Sequence, residues 1–289
     1  MSSVHVIPGC RGRCRGGAYC VSMPRLLHNG PYPLTPDSPL FAYFKTRLRQ
    51  ASLFAGLPEA VLEDMLGHFQ HETWGRGVQG EASTCVRRFY LLIQGRVEII
   101  RTDPATGKGI TLFLLEPGDG FDVVTLLDGR PHDAAPVAVD DLHLLWAPVD
   151  EVRVWIEAHP GFNRNFMPYL GERLRAMEDL ASDLALYDTV TRLARLILRY
   201  SDPGRSQVDP GPYPVRLIND LSHESLAHMI GSVRQVVNRH LQELQRQGVV
   251  HGGRGQRVVR DLEALHRKAQ TTLSAFGFTQ GAGTSGDAP

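Results

Sequence analysis

The sequence predicts an α+β chain in three parts: an amino-terminal antiparallel β-roll of the jelly-roll kind, a long helix, and a small carboxy-terminal unit of paired helices backed by strands. Three observations support this. Between residues 73 and 150, short apolar runs alternate with Gly and Pro turns, which is how closely spaced antiparallel strands read. From Gly161 to Tyr200, apolar residues recur every three and four positions, the period of a helix with one buried seam. From Ile230 to Gly248, the stretch IGSVRQVVNRHLQELQRQG sets Val233, Val237, Leu241 and Leu244 on one face and Gln235, Asn238, Arg239, Gln242 and Arg246 on the other. That is a shorter amphipathic helix near the end of the chain.

At 289 residues the chain predicts two domains with linking elements. Apolar residues make up 42% and charged ones 21%, the composition of a soluble globular protein. Lys plus Arg equals Asp plus Glu at 31 each, so net charge names no partner. The distribution is more telling: residues 102 to 151 hold ten acids and two bases, whereas residues 222 to 268 hold eight bases and four acids. No apolar run approaches the roughly 20 residues that span a bilayer. The first 22 residues carry arginines without a continuous apolar core, so the expectation is a cytoplasmic protein without a secretory signal. Met23 is an alternative start. Three of the four cysteines, Cys10, Cys14 and Cys20, crowd into the amino terminus and Cys85 stands apart, which is no disulfide framework for a chain of this size.

In chain order, residues 1–38 are rich in Gly, Pro, Ser and Arg and read as a flexible tail. Residues 39–158 are expected to form the roll with flanking helices, the first of them short and broken at Gly56 and Pro58. FYLLIQGRVEII, ITLFLLEPGDGFD, APVAV and LHLLWAP supply strands, separated by turns at Gly95, Gly107 to Gly109, Pro117 to Gly120 and Asp128 to Pro131. Residues 159–201 are read as one long helix with the seam Phe162, Phe166, Leu170, Leu174, Met177, Leu180 or Ala181, Leu184, Tyr187 or Asp188 and Thr191, kinked near Pro168. About forty residues is long for a helix buried only against its own roll, so self-pairing into a homodimer is expected. SDPGRSQVDPGPYPV, residues 201 to 215, reads as a linker within a last unit spanning 202–270, and residues 271–289 read as disordered.

That last unit reads as a winged helix-turn-helix. Ser222 is placed to cap a first helix, HESLAHMI; Gly231 turns the chain; Ser232 and Gln235 make a capping-box pattern for the second helix. VVHGGRGQRVV then reads as two strands around a Gly-rich turn, a wing carrying Arg254 and Arg257. The polar face of the second helix has almost no acid. In a major groove, Arg pairs bidentately with guanine, Asn and Gln suit adenine, and carboxylates are repelled by phosphate. Ser232, Arg234, Gln235, Asn238 and Arg239, with Arg254 and Arg257, are therefore the candidate contacts to double-stranded DNA.

In the order roll, long helix and winged helix-turn-helix, and in FYLLIQGRVEII, LEPGDGFDVVTLLDG and IGSVRQVVNRHLQELQRQGVV, residues 39 to about 268 resemble the cyclic-AMP receptor / fumarate-nitrate regulator (Crp/Fnr) family. The resemblance implies a cyclic-nucleotide-binding-like roll and a homodimeric transcriptional regulator, commonly an activator, on a near-palindromic site with RNA polymerase as partner. The family's Arg-Glu-x-x-x-Arg pattern matches Arg234, Gln235 and Arg239, with Gln in place of Glu.

The signal stays open at this level. Members that bind cyclic AMP carry an Arg-Ser pair for the phosphate and ribose and a Thr-Ser pair for adenine. Here His132 and Asp133 fall near the first and Met177 near the second, with Asp122 alongside. Such a pocket is expected to repel a cyclic phosphate. The count of four thiolates at Cys10, Cys14, Cys20 and Cys85 suits a [4Fe-4S] cluster like that of oxygen-sensing relatives. Haem ligated by His132 is a third reading. A cupin-type metalloenzyme is the distant alternative, but His132 and His143 alone in residues 73 to 150 fall short of its ligand set. No catalytic residues are assigned.

Overall fold

The computed structural model describes residues 32–34, 36, 38–80, 87–131, 133–201, 213–215, 218–252 and 257–270. Helix α1 (Pro39–Gln50) starts where Ser38 Oγ accepts from the Leu40 amide and Pro39 fits the first turn. Gly56, at φ +69°, ends the short 3-10 turn Ser52–Phe54, and α2 (Glu59–Gly67) follows Pro58. The chain is therefore broken where Gly and Pro foretold. The tail reading needs one correction: β1 (Tyr32–Pro33) pairs antiparallel with β2 (Gln70–Trp74), and Leu34 is buried. Two residues and one side chain are too short a signal to stand out from a Pro-rich segment. Strand β2, QHETW, also shows no apolar alternation, although His71 and Trp74 face inward.

The remaining roll strands are β3 (Arg88–Gln94), β4 (Val97–Thr102), β5 (Gly109–Leu115), β6 (Gly120–Phe121), β7 (Ala134–Ala138) and β8 (Leu142–Pro148). They form a five-stranded sheet ordered β1-β2-β8-β3-β6 and a three-stranded sheet ordered β5-β4-β7. Gly95 makes the turn between β3 and β4 at φ +89°, where a Cβ would lie 2.6 Å from Leu142 Cδ2 and 2.8 Å from the Asp141 carbonyl. No other residue type fits so close a backbone approach. Two cores sit on opposite faces of the larger sheet. One lies between the sheets and includes Trp74, Tyr90, Leu92, Val97, Phe121, Leu144 and Trp146. The other joins Phe89, Leu91 and Leu145 to α1, α2 and the helices that follow.

Those helices are α3 (Val123–Asp128), α4 (Val149–Ala158) and α5 (Pro160–Leu186). The long helix expected over 159–201 is in fact two. Tyr187 is extended and Asp188 caps α6 (Thr189–Arg199), its Oδ1 accepting from the Thr191 amide at 2.8 Å. A capping carboxylate competes with helix continuation, and it lies within a seam that apolar period alone reads as unbroken. The seam also divides in what it touches: Phe162, Phe166 and Tyr169 are buried in the roll's helical core, whereas Leu174 is 63% exposed.

The last unit contains β9 (Tyr213–Pro214), α7 (His223–Met229), α8 (Arg234–Arg246), β10 (Val250–His251), β11 (Val258–Val259) and α9 (Leu262–Lys268). Strand β9 adds to the expected β10–β11 pair, so the linker reading over 201–215 gives way at Tyr213 to Val215. Leu193, Ile197, Leu226, Val237, Leu241, Leu244, Val259 and Leu265 share its core.

Candidate nucleic-acid interface

Helix α7 is capped as its sequence indicates, with Ser222 Oγ accepting from the Ser225 amide at 3.0 Å. Gly231 turns the chain at φ +59°, a conformation that favours glycine; a Cβ there would lie 2.5 Å from Leu184 Cδ2, which would have to shift. The second cap differs from the expectation. The Ser232 amide bonds to the Ala227 carbonyl at 2.8 Å, which spends Ser232 on the turn. Val233 is the extended cap residue, α8 begins at Arg234, and no side chain caps it. The Ser232/Gln235 capping box does not form, and Val233, expected in the buried stripe, is 47% exposed. Val237, Leu241 and Leu244 make the buried stripe.

The opposite face of α8 is open. Arg234, Gln235, Asn238, Arg239, Gln242 and Arg246 are all exposed. Among the described residues no ion pair engages Arg234 or Arg239, whereas Arg246 pairs with Glu243. His240 leans the other way, its Nε2 within 2.9 Å of Thr189 Oγ1 on α6, and burial lowers its pKa. Strands β10 and β11 pair antiparallel, Val250 with Val259 and His251 with Val258. Arg254 lies outside the described residues. Arg257, a candidate DNA contact on the wing, is instead only 6% exposed and donates to the carbonyls of Asn219 at 2.7 Å and Ile218 at 3.3 Å. A guanidinium stem over apolar neighbours with carbonyls in reach folds inward. It ties the wing to the approach of α7.

Of the candidate effector residues, Asp122 and Asp133 stand in different environments. Asp122 is buried in left-handed conformation at the head of α3, whereas the Asp133 side chain is 82% exposed and meets Arg101 at 3.1 Å. Close in sequence, the two are expected to face a phosphate together; the fold sends one inside and one to the surface. Met177 is half-buried on α5, and His132 lies outside the described residues, as do Cys10, Cys14, Cys20 and Cys85. Between the sheets, Trp74, Tyr90 and Phe121 are buried side by side. Tyr90 and Phe121 stack at 4.7 Å, and Trp74 meets both rings edge-on at 5.6 and 6.2 Å.

Two clusters went unread in the sequence. His71 and His143 stack with Nε2 and Nδ1 3.0 Å apart; burial first, and the neighbouring ring second, pull His71 down to about 4. At the start of β4 and on its outer face, Arg96, just before the strand, and the buried Glu98 within it meet the segment around α7. Alternation in RVEII places both outward, so their position was legible; what covers them was not.

The description "Cyclic nucleotide-binding domain" matches residues 79–159 and "Crp-like helix-turn-helix domain" matches residues 191–268. A cyclic AMP receptor protein of Thermus thermophilus is 30% identical over 227 residues, covering 77% of this chain and 98% of that protein. This chain belongs to the Crp/Fnr family of transcriptional regulators. A CRP-like cAMP-activated global transcriptional regulator of Mycobacterium tuberculosis is 25% identical with the same coverage. Among solved structures, a CooA mutant from Carboxydothermus hydrogenoformans superposes with a TM-score of 0.61 at 22% identity, covering 71% of this chain and 90% of that one. The Crp/Fnr assignment makes the chain a DNA-binding regulator, not an enzyme, and removes the cupin alternative. Among the described residues no helix is long and apolar enough to cross a membrane.

Proposed function

We propose that this Crp/Fnr regulator binds a near-palindromic promoter site as a homodimer, reads bases with the first turns of α8, and answers to a signal other than cyclic AMP. The observation that carries the reading is the outward face of α8: two arginines without an ion pair among the described residues, with Gln235 and Asn238 and no acid beside them. Arg234 and Arg239 take the base-reading role, Ser232 and Arg254 contact phosphate, and RNA polymerase is the partner that the family implies for an activator. Residues 39–158 serve as the sensing domain, α5 and α6 as the dimerisation segment, and 202–270 as the DNA-binding domain.

Two features support the finer parts. Met167 and Leu174 on α5 are exposed by more than half, apolar surface that a second copy of the helix would cover. Between the sheets the chain's own rings pack against one another, an apolar lining that disfavours an anionic nucleotide. Selection of duplexes from a random pool tests the core claim. Enriched sequences should contain an inverted repeat with half-sites about one helical turn apart; enrichment of sequences without a repeat overturns it. Titration calorimetry with cyclic AMP tests the signal, and saturable micromolar binding that tightens DNA binding would refute it.

A further inference from the structure

The carboxy-terminal unit follows α5 through the break at Tyr187, and it is held at a second place. On one side, Arg192 Nη1 donates to the Ile230 carbonyl at 2.8 Å and its Nε to the Tyr187 carbonyl at 3.0 Å, while Gly231 sits against Leu184. These contacts bind the helix-turn-helix corner to the end of α5.

The second place is the outer face of β4. Arg96 grips Asp140 with Nε at 2.7 Å and Nη2 at 2.8 Å, and reaches Asp220, just before α7, with Nη1 at 2.7 Å and Nη2 at 3.1 Å. One planar guanidinium thus joins a roll carboxylate to a carboxylate of the DNA-binding unit, in the bidentate geometry that fixes direction as well as distance. Two residues along, Glu98 is 3% exposed and lies beneath α7, near Ser225 and His228. Leu114 and Val139, both from the roll, pack against the core of the DNA-binding unit. The reading face of α8 stays exposed while all these contacts are made.

We infer that Arg96 is a positioning residue for DNA binding: by bridging Asp140 and Asp220 it fixes the attitude of each α8 on the roll, and hence the distance between the two reading helices of a dimer. This rests on the proposed homodimeric reading of a palindrome. A single half-site needs only one α8, whose surface Arg96 does not touch. A full site needs both helices at one spacing. Loss of the bridge therefore weakens binding to the full site and spares the half-site.

The experiment measures affinity by fluorescence anisotropy for the selected palindrome, for a single half-site duplex, and for palindromes lengthened or shortened by one base pair. Arg96→Ala should lose roughly tenfold on the palindrome, a coupling of ordinary size, keep its half-site affinity, and discriminate less between spacings. Arg96→Asp should behave likewise, and adding Asp220→Arg, which recreates the pair with polarity reversed, should restore spacing discrimination. Equal losses on full and half sites, an unchanged spacing profile, tighter binding by Arg96→Ala, or failure of the reversed pair to rescue would each overturn the inference. Should the wild-type chain bind no duplex at all, the DNA-reading proposal itself falls, and this inference with it.

Discussion

Asp183 near the end of α5 accepts a hydrogen bond from Arg195 Nε at 2.6 Å, although Arg195 stands on α6, beyond the break at Tyr187. Arg199 adds a second contact to the same carboxylate at 3.4 Å, and Asp183 is buried. The break is thus spanned by charge. Removing the carboxylate leaves the Arg195 guanidinium without its partner on α5, while Arg199 keeps Asp179 at 3.8 Å. Asp183→Ala is expected to destabilise the chain by about 3 kcal/mol, the size found when one partner of a buried pair is deleted. Urea unfolding of wild type and variant checks this.

Base reading predicts an asymmetry among arginines. Arg234→Ala or Arg239→Ala should cost on the order of 1 to 3 kcal/mol in binding and relax preference at one base pair per half-site. Arg257→Ala should act differently, lowering stability with base preference intact, because its guanidinium is spent on the Asn219 and Ile218 carbonyls. Binding to a panel of single-base operator variants separates the two behaviours.

The dimer is expected to depend on α5. Leu174→Glu places a charge on an exposed apolar position of the proposed pairing helix. A monomer in sedimentation equilibrium at micromolar concentration, with the unfolding midpoint unchanged, is the expected outcome. A dimer that survives this change would place the pairing surface elsewhere.

Acid should weaken the roll through His71. Its pKa is depressed from the ordinary value of 6.5 to about 4, chiefly by burial, so the folded ring stays neutral while the unfolded one takes a proton. The associated stability is present in full above pH 6.5 and is lost as pH falls toward 4, for a total of roughly 3 kcal/mol. His71→Gln should flatten the stability curve over that window.

Glu98 predicts the opposite slope. Burial raises its carboxyl above the ordinary value of 4.5, against the lowering effects of Ser225, His228 and Arg96. The folded state holds the proton more tightly than the unfolded one. Its contribution is present at pH below 4.5 and is lost as pH rises through the raised value. Glu98→Gln should remove that dependence, which thermal unfolding from pH 4 to 8 measures.

Most of the architecture could be read from local patterns. Strands β3 to β8 announced themselves by apolar runs between Gly and Pro, and the open face of α8 by its lack of acid, since both depend on the chain's own neighbours. What escaped depended on distant ones. QHETW becomes β2 because β1 and β8 flank it, not because of its letters. Arg257 looks free in RGQRVV until Asn219 is brought beside it. Asp122 and Asp133 are close in sequence, yet α3 and its turn divert them to opposite environments. The break at Tyr187 was visible only as an Asp cap inside an unbroken apolar period, and period outweighed it.

The rings that occupy the roll also set how this protein could be altered. Tyr90 is 1% exposed and stacks on Phe121, so trimming it to alanine leaves a void bounded by Trp74 and Leu144, which share its core. Apolar hollows of that kind stay dry and admit small flat molecules of matching shape. A regulator plugged by its own aromatic side chains is thereby a lock whose keyhole can be drilled by subtraction, with an externally supplied arene as the key that restores what was cut away.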